Sequence, residues 1–317
     1  MKLIVERIEQ ATPQIRVLRL TGVDGAPLPP YEPGAHVDVR GPTGVTRQYS
    51  LCGTPHDRCG YTIAVKRELA SRGGSAALHD QVTIGSELEV SAPRSLFRLA
   101  EAAAEYVLIA AGIGITPLLS FAYRLKQRDA HFTLHYFARS RDEAAFLPVL
   151  ESQEFAAHLQ LHLGLEPDEV AAVVRQRVAA ALPQAQVYTC GPAPFMRTVK
   201  DQAEAVRAGI EVHLEHFGAD PAATGASGDT AFTVEIASSG QTLTVGAGER
   251  LVDVLLGAGI AVDTSCREGI CGTCVIQVLD GEPEHRDQCL SKREKAANDQ
   301  ICACVSRARS AKLVLDL

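Results

Sequence analysis

The sequence predicts a multidomain protein with β and α/β domains. Three changes in residue pattern along the chain support this prediction. From Met1 to about Leu99, short β-type runs alternate with turns rich in proline and glycine. From about Ala103, near-continuous apolar strands alternate with helical patterns. Beyond residue 265, six of the nine cysteines fall close together. A chain of 317 residues is long enough for two or three such domains.

Composition excludes several classes of protein. The chain is 46% hydrophobic and 22% charged, which is typical of a folded globular protein. Its net charge of -7 argues against nucleic acid or an anionic membrane as the main partner. The longest apolar stretch, 106–119, is interrupted by glycine and proline, and Glu6 and Arg7 precede any signal-type core. We therefore expect a cytoplasmic protein.

The first part of the chain reads as an antiparallel barrel or sandwich. Its β-type runs are residues 37–39, 61–65 and 87–90, with Pro- and Gly-bearing turns between them. Short strands separated by frequent turns are typical of these two architectures.

The middle of the chain predicts a parallel sheet flanked by helices. Strands that are apolar at nearly every position are buried on both faces, as in nucleotide-binding α/β domains. The predicted strands are 106–110, 132–137 and 187–190, and the predicted helices are 117–128, 168–181 and 192–207.

A small, polar and turn-rich stretch, 219–230, reads as a linker before the last part of the chain. Beyond it, residues 232–236 and 241–245 predict a hairpin, followed by a helix at 251–258. We place the domains at 1–101, 102–222 and 231–317, with the linker at 223–230.

Cysteine spacing gives the sharpest chemical signal. Cys266, Cys271 and Cys274 form C-x4-C-x2-C, and Cys304 lies downstream. On a helix these side chains would scatter around the axis, so a shared centre requires a loop. Four thiolates at this spacing match the plant-type 2Fe–2S pattern. A structural zinc held by Cys271, Cys274, Cys302 and Cys304 is the alternative. Under the iron–sulfur reading Cys289 and Cys302 are spare, and we expect them to be buried small residues.

Two short motifs in the first part suit a ligand with a phosphate and a flat ring. In Arg47-Gln48-Tyr49-Ser50 the arginine can hold a phosphate, the tyrosine can face a ring, and the serine can bond a ring atom. Residues 72–75, Arg-Gly-Gly-Ser, place open backbone N–H groups beside a cation. Each motif alone also fits an ordinary strand or turn.

Two further motifs follow predicted parallel strands. Residues 110–117, AAGIGITP, lead from a strand into a helix, where glycines let a pyrophosphate approach the backbone. This is not the G-x-G-x-x-G fingerprint of a standard Rossmann domain. Cys190-Gly191-Pro192 ends a later strand, at the edge where open α/β sheets bind ligands.

Taken together, in this order and spacing, the four motifs resemble those of the ferredoxin–NADP reductase superfamily. With the cysteine-rich part at the C-terminus, the whole chain resembles the phthalate dioxygenase reductase family, which includes vanillate demethylase reductases. Arg286-Asp287 and the ending from Cys304-Val305-Ser306-Arg307 onwards strengthen the match. The resemblance implies a flavin-binding β-barrel, a nucleotide-binding α/β domain and a β-grasp ferredoxin domain.

The resemblance also implies site residues, position by position. Around FMN it places Arg47, Tyr49, Ser50, Ala64, Val65, Lys66, Arg72, Gly73, Gly74, Ser75, Thr116 and Phe217. Around NAD it places Gly112, Gly114, Ile115, Pro117, Arg139, Cys190, Gly191 and Pro192. As cluster ligands, two per iron, it assigns Cys266, Cys271, Cys274 and Cys304. Cys190 and Ser50 are expected to border the site of hydride transfer, with no side chain as a proton-transfer catalyst.

The implied activity is electron transfer from NADH through FMN and a 2Fe–2S cluster to a Rieske-type oxygenase. We expect a monomer that touches the oxygenase transiently near the cluster. Two departures bear on the nucleotide: Ala111 stands where the family often has glycine, and Arg139-Ser140-Arg141 adds charge where a 2′-phosphate would lie. A free flavin or ferric reductase and a zinc-stabilised interaction module on a nucleotide sensor are the alternatives.

Overall fold

A computed structural model describes residues 1–68, 73–217 and 229–317, without the side chain of Lys292. The chain divides into two compact units, Met1–Glu215 and His216–Leu317. Across the described residues, no helix has both the length and the apolar character needed to span a membrane.

The first unit begins with a six-stranded antiparallel sheet in the order β4-β3-β6-β1-β2-β5. A bridge between Leu51, just after β4, and Ile63, within β5, joins the two edge strands, so the sheet closes into a barrel. The strands are β1 (Lys2–Thr12), β2 (Ile15–Gly22), β3 (His36–Arg40), β4 (Thr46–Ser50), β5 (Tyr61–Lys66) and β6 (Glu87–Val90).

Alternation of side chains explains why the barrel forms. On β2, Leu18 and Leu20 are buried in the barrel core, and Arg19 between them is partly exposed. Closure then fills the interior with apolar side chains from every strand, among them Val37 and Ile63. A single helix, α1 (Gly74–Asp80), follows β5.

The rest of the first unit is a five-stranded parallel sheet in the order β11-β10-β7-β8-β9. Its strands are β7 (Tyr106–Ala111), β8 (Phe132–Ala138), β9 (Leu159–Leu163), β10 (Gln186–Cys190) and β11 (Val212–Glu215). Its helices are α2 (Ile115–Gln127), α3 (Leu147–Leu150), α4 (Pro167–Ala180) and α5 (Ala193–Val206).

Two separate cores show that helices cover both faces of this sheet. Phe121 of α2 packs with Tyr188 and Phe132 in one core. Val174 of α4 and Val199 of α5 pack in the other. Burial on both faces explains why β7 is apolar throughout.

The second unit contains a five-stranded mixed sheet in the order β13-β12-β18-β14-β16. Only the central pair, β12 and β18, is parallel. Its elements are β12 (Phe232–Ile236), β13 (Thr242–Val245), α6 (Leu251–Gly257), β14 (Val275–Asp280), β15 (Pro283–Glu284), α7 (Lys292–Ala297), β16 (Gln300–Cys302), β17 (Arg307–Ala308) and β18 (Lys312–Leu315). Leu251 and Leu255 of α6 pack into its core, as expected for a β-grasp domain.

The predicted strands and helices agree with the structure to within two residues at each end. Residues 87–90 and 232–236 are strands with those bounds. The sequence analysis missed strands with more polar residues, such as β1 and β9. Most of the predicted linker lies outside the described residues.

Candidate functional site

Residues 258–274, between α6 and β14, form a loop that we call the cysteine loop, and it brings two predicted ligands together. The sulfurs of Cys266 and Cys271 are 3.1 Å apart. The backbone N–H of Glu268 donates to the Cys266 sulfur at 3.3 Å, and that of Thr273 donates to the Cys271 sulfur at 3.5 Å. Such bonds favour negatively charged sulfur, so the loop suits thiolate ligands.

The other two predicted ligands form a second group, together with a thiol that was not assigned. The sulfurs of Cys274, Cys302 and Cys304 all lie within 4.8 Å of one another. The Cys304 sulfur also has a hydrogen bond with the backbone of Gly269, which belongs to the cysteine loop. The loop that carries the first pair therefore lies against Cys304.

Within each group, one sulfur is favoured as a thiolate. Hydrogen bonds with Cys302 and Cys304 lower the pKa of Cys274 to about 3. The hydrogen bond with Cys266 lowers the pKa of Cys271 to about 6. The pKa of Cys304 is raised to about 12, mainly by its hydrogen bond with Cys274.

In the first unit, the predicted phosphate-binding residues lie where α1 meets β4. Gly73 has φ +87°, a backbone conformation that favours glycine. A Cβ at Gly74 would lie 3.2 Å from Cγ of Arg47, so glycine lets the helix pack against this arginine. The guanidinium of Arg47 uses one of its five donors on the Thr46 carbonyl at 2.8 Å. Arg72 lies outside the described residues.

The neighbouring serine gives the clearest sign of a missing polar partner. Ser50 is buried, and its hydroxyl has no hydrogen-bond partner among the described residues. Buried hydroxyls usually have a hydrogen-bond partner, so a ligand atom that hydrogen-bonds to Ser50 fits this position. Tyr49 beside it is partly buried, and burial raises the pKa of its phenol.

The other predicted flavin residues differ in exposure and in whether their polar groups already have partners. Ala64 and Val65 are buried in β5, and Lys66 forms an ion pair with Glu68 at 2.9 Å. The hydroxyl of Ser75 accepts from the Glu68 N–H. The hydroxyl of Thr116 is already bonded to the Ile113 carbonyl within its own turn, and Phe217, in the second unit, is 42% exposed.

The two predicted nucleotide-binding turns touch each other at the carboxyl edge of the parallel sheet. A Cβ at Gly114 would lie 2.2 Å from the Cys190 carbonyl oxygen, and one at Gly191 would lie 2.9 Å from Cβ of Ala111. Only glycine allows this approach. Gly112 has φ +53° and opens the turn into α2, which begins at Ile115. The turns therefore form one continuous backbone surface.

Other members of the predicted nucleotide set stand around this surface. Pro117 lies in the first turn of α2, and Pro192 directly precedes α5. Arg139 follows β8 and is exposed, whereas Arg141 is bound by both carboxylate oxygens of Glu151 at 2.8 and 2.7 Å. Arg139 is therefore the better placed of the two arginines to meet a nucleotide.

Comparison with known proteins decides the family. Residues 234–309 match the model of the 2Fe-2S iron-sulfur cluster binding domain. Vanillate O-demethylase oxidoreductase of Pseudomonas sp. (strain HR199 / DSM 7063) is 44% identical, covering 100% of this chain and 99% of its own. Phthalate dioxygenase reductase of Burkholderia cepacia is 39% identical, with 100% and 97% covered. The chain belongs to the phthalate dioxygenase reductase family.

Solved structures agree with that assignment. A phthalate dioxygenase reductase structure, described as modular for electron transfer from pyridine nucleotides to [2Fe-2S], matches with a TM-score of 0.72 at 38% identity. It covers 100% of this chain and 98% of that one. An intact type IV self-sufficient cytochrome P450 monooxygenase matches with a TM-score of 0.89 at 35% identity, over 100% of this chain and 41% of that one.

Membership in the phthalate dioxygenase reductase family confirms the predicted fold class, with its flavin-binding barrel, nucleotide-binding domain and ferredoxin domain. It also confirms that the chain is an oxidoreductase that transfers electrons from a pyridine nucleotide to a 2Fe–2S cluster. FMN, NADH and the cluster are its cofactor set.

The sequence analysis missed one candidate residue of this reductase. Glu215 ends β11, directly beside Cys190 at the end of β10. Its Oε2 atom is buried with no partner in the part of the chain that the structure describes, and burial raises the pKa of its carboxyl to about 8. Burial, and then Glu215, raise the pKa of Cys190. Its place beside Cys190 follows from the order of the strands in the sheet, so the sequence carried no direct signal for it.

We predict that Glu215→Gln removes a pH-dependent loss of stability. A carboxyl with a folded pKa of about 8, against an ordinary 4.5, binds its proton more tightly in the folded state. Wild-type stability should therefore fall relative to the variant as pH rises from 4.5 to about 8. Because Glu215 as a whole is only half-buried, we expect a difference of about 2 kcal/mol across this window.

Urea denaturation at a series of pH values measures this difference. Glu211→Gln, which changes an exposed carboxyl just before the same strand, is the matched control and should follow the wild type. Parallel pH profiles for the wild type and Glu215→Gln would contradict the prediction.

Proposed function

We propose that this chain is the NADH-dependent reductase component of a Rieske-type oxygenase system. The observation that carries the proposal is the presence, in one chain, of two adjoining thiol groups and of strand ends suited to a flavin and a nucleotide. When bound, FMN exchanges electrons in pairs or singly, whereas a 2Fe–2S cluster takes them one at a time. The protein's own task is to hold the groups in place.

We infer that four cysteines hold the cluster, two for each iron. They are Cys266, Cys271, Cys274 and Cys304. Their sulfurs are buried, and the cysteine loop supplies N–H donors that favour bound thiolates. A zinc site using Cys302 is less well supported, because it leaves the Cys266–Cys271 contact without a role.

FMN would be held by its phosphate at one end and by its ring at the other. Arg47, beside Gly73 and Gly74, offers charge and N–H donors for the phosphate. The unsatisfied hydroxyl of Ser50 and the face of Tyr49 suit the ring. Ala64, Val65, Lys66, Arg72, Ser75, Thr116 and Phe217 complete the proposed set.

NADH would bind over the two touching turns of the parallel sheet. Gly112, Gly114 and Gly191 let the pyrophosphate approach the backbone, and Cys190 lies buried beneath. Ile115, Pro117, Arg139 and Pro192 complete this set. The exposed Arg139 leaves room for some use of NADPH, because an arginine can bind a 2′-phosphate.

A Rieske-type oxygenase is the acceptor that the energetics favour. Plant-type clusters have reduction potentials near about −400 mV, whereas Rieske centres lie between about −150 and +300 mV. Electron transfer in that direction is downhill. Two relatives are named for vanillate O-demethylase and phthalate dioxygenase, which supports an oxygenase partner here. The substrate of that oxygenase is a property of the partner.

The domain limits, the oligomeric state and the location of the protein are also proposals. We place the domain limits at 1–101, 102–222 and 231–317, with a linker at 223–230. We propose a monomer that acts in the cytoplasm, where a reducing environment keeps cysteine ligands as thiols.

Cys271→Ser should remove the cluster and separate the two electron-transfer steps. Cys271 is chosen because the sulfur of Cys302 lies next to Cys274 and could replace that ligand. We expect iron content and cluster absorbance to collapse and NADH-driven cytochrome c reduction to fall at least tenfold, while anaerobic NADH still bleaches the flavin. Cys59→Ser, at an exposed cysteine, should behave as the wild type. Full iron content in Cys271→Ser would remove this residue from the ligand set.

Arg47→Ala should weaken FMN binding by about tenfold to a hundredfold, because a charge-assisted bond to the phosphate is lost. The dissociation constant from FMN fluorescence quenching measures this. The control is Arg40→Ala, which changes an exposed arginine of β3 that pairs with Glu89 of β6, and this variant should bind FMN normally. Equal affinities for the two variants would exclude Arg47 from the site.

The choice of acceptor is tested with the tagged, fully loaded protein as bait in a lysate of the source cells under reducing conditions. We expect to recover a Rieske oxygenase and, with NADH and both purified proteins, to see its electron paramagnetic resonance (EPR) signal appear. Recovery of an oxygenase that NADH and this protein do not reduce would reject the proposed acceptor.

A further inference from the structure

A fifth thiol lies against the proposed ligands. Cys302 ends β16, opposite Val275 of β14, and is fully buried in the core of the second unit. The N–H groups of Val305 and Ser306 both donate to its carbonyl, at 3.3 and 3.0 Å. Strand pairing and this turn therefore fix where its side chain stands.

The sulfur of Cys302 touches two of the four proposed ligands. It lies 3.5 Å from the sulfur of Cys274 and 3.8 Å from that of Cys304. Both contacts are within hydrogen-bond distance for sulfur atoms, and the one to Cys274 is the shorter. A buried apolar residue of the same size would fill the space equally well but would offer no proton.

Metal binding decides the direction of this hydrogen bond. A cysteine that binds iron is a thiolate and can only accept, whereas a cysteine outside the ligand set carries an S–H donor at neutral pH. We propose that Cys302 donates a hydrogen bond to the Cys274 sulfur and thereby raises the reduction potential of the cluster. This inference rests on the ligand set proposed above.

The charge of the cluster explains why the potential should rise. Reduction adds one negative charge, part of which lies on the ligand sulfurs. A hydrogen bond to such a sulfur is stronger in the reduced state, so it favours reduction. Removing the donor should make the cluster harder to reduce.

Two other sulfurs lie within reach of Cys302: that of Cys304, at 3.8 Å, and that of Cys289. The Cys289 S–H itself donates to Oδ2 of Asp287 at 3.6 Å, and Cys289 is not one of the proposed ligands. A charged sulfur is the better acceptor. Of the two proposed ligand thiolates, Cys274 is the nearer, at 3.5 Å against 3.8 Å for Cys304, so the single proton of Cys302 is directed to Cys274.

The test is an EPR-monitored redox titration of the full chain loaded with flavin and cluster. In Cys302→Ala we expect the ratio of reduced to oxidised cluster at a fixed potential to fall about threefold to tenfold, where tenfold equals 59 mV for one electron. Cys302→Ser keeps a donor and should restore the wild-type ratio at least in part. Cys302→Val lacks a donor but fills the space, and serves in place of alanine if that variant does not fold.

Cys59→Ala, which removes an exposed thiol from the first unit, is the control and should leave the midpoint unchanged. An unchanged midpoint in Cys302→Ala or Cys302→Val, with full iron content, would overturn the proposed hydrogen bond. Loss of iron in both variants but not in Cys304→Ser would show instead that Cys302 is the fourth ligand. That result would overturn the ligand set itself.

Discussion

Burial of negatively charged sulfur is the constraint on which the second unit depends. The four proposed ligands are at most 6% exposed, and an isolated charge at such a site is costly. The chain compensates with backbone donors: the N–H groups of Glu268 and Thr273 are directed at sulfur. A loop can direct them only if it curls tightly, and Gly269 and Gly272 both have positive φ. The small residues in this loop therefore follow from electrostatics as much as from space.

A loop of this kind has few bonds of its own and must be held from outside. A Cβ at Gly269 would lie 2.5 Å from the Val305 side chain, so the two segments are in close contact. The N–H of Gln288 donates to the Gly269 carbonyl at 2.8 Å. The buried carboxylate of Asp287 accepts from the Leu290 N–H at 2.9 Å and from the Ser306 hydroxyl at 3.2 Å. Residues far apart in sequence thus fix the geometry around the ligands.

The difference between local sequence patterns and contacts made by residues far apart in the chain explains what could be predicted from sequence. The ligand spacing and the apolar strand β7 are local patterns, so they were readable, and the family resemblance supplied the barrel and the β-grasp fold. Strand β9 is five residues long, lies at the edge of its sheet and is nowhere fully buried, so it lacks the continuous apolar run that marks β7. The importance of Cys302 and Glu215 depends on which atoms of neighbouring strands lie beside them. No spacing along the chain carries that information.

At the carboxyl edge of the parallel sheet, burial favours the protonated form of acidic side chains, whereas the cysteine loop favours the charged form of its sulfurs. Burial raises the pKa of both Glu215 and Cys190, so both side chains hold their protons near neutral pH. Burial alone therefore disfavours side-chain charge at this edge, whereas the cysteine loop supplies backbone N–H donors that favour negatively charged sulfur.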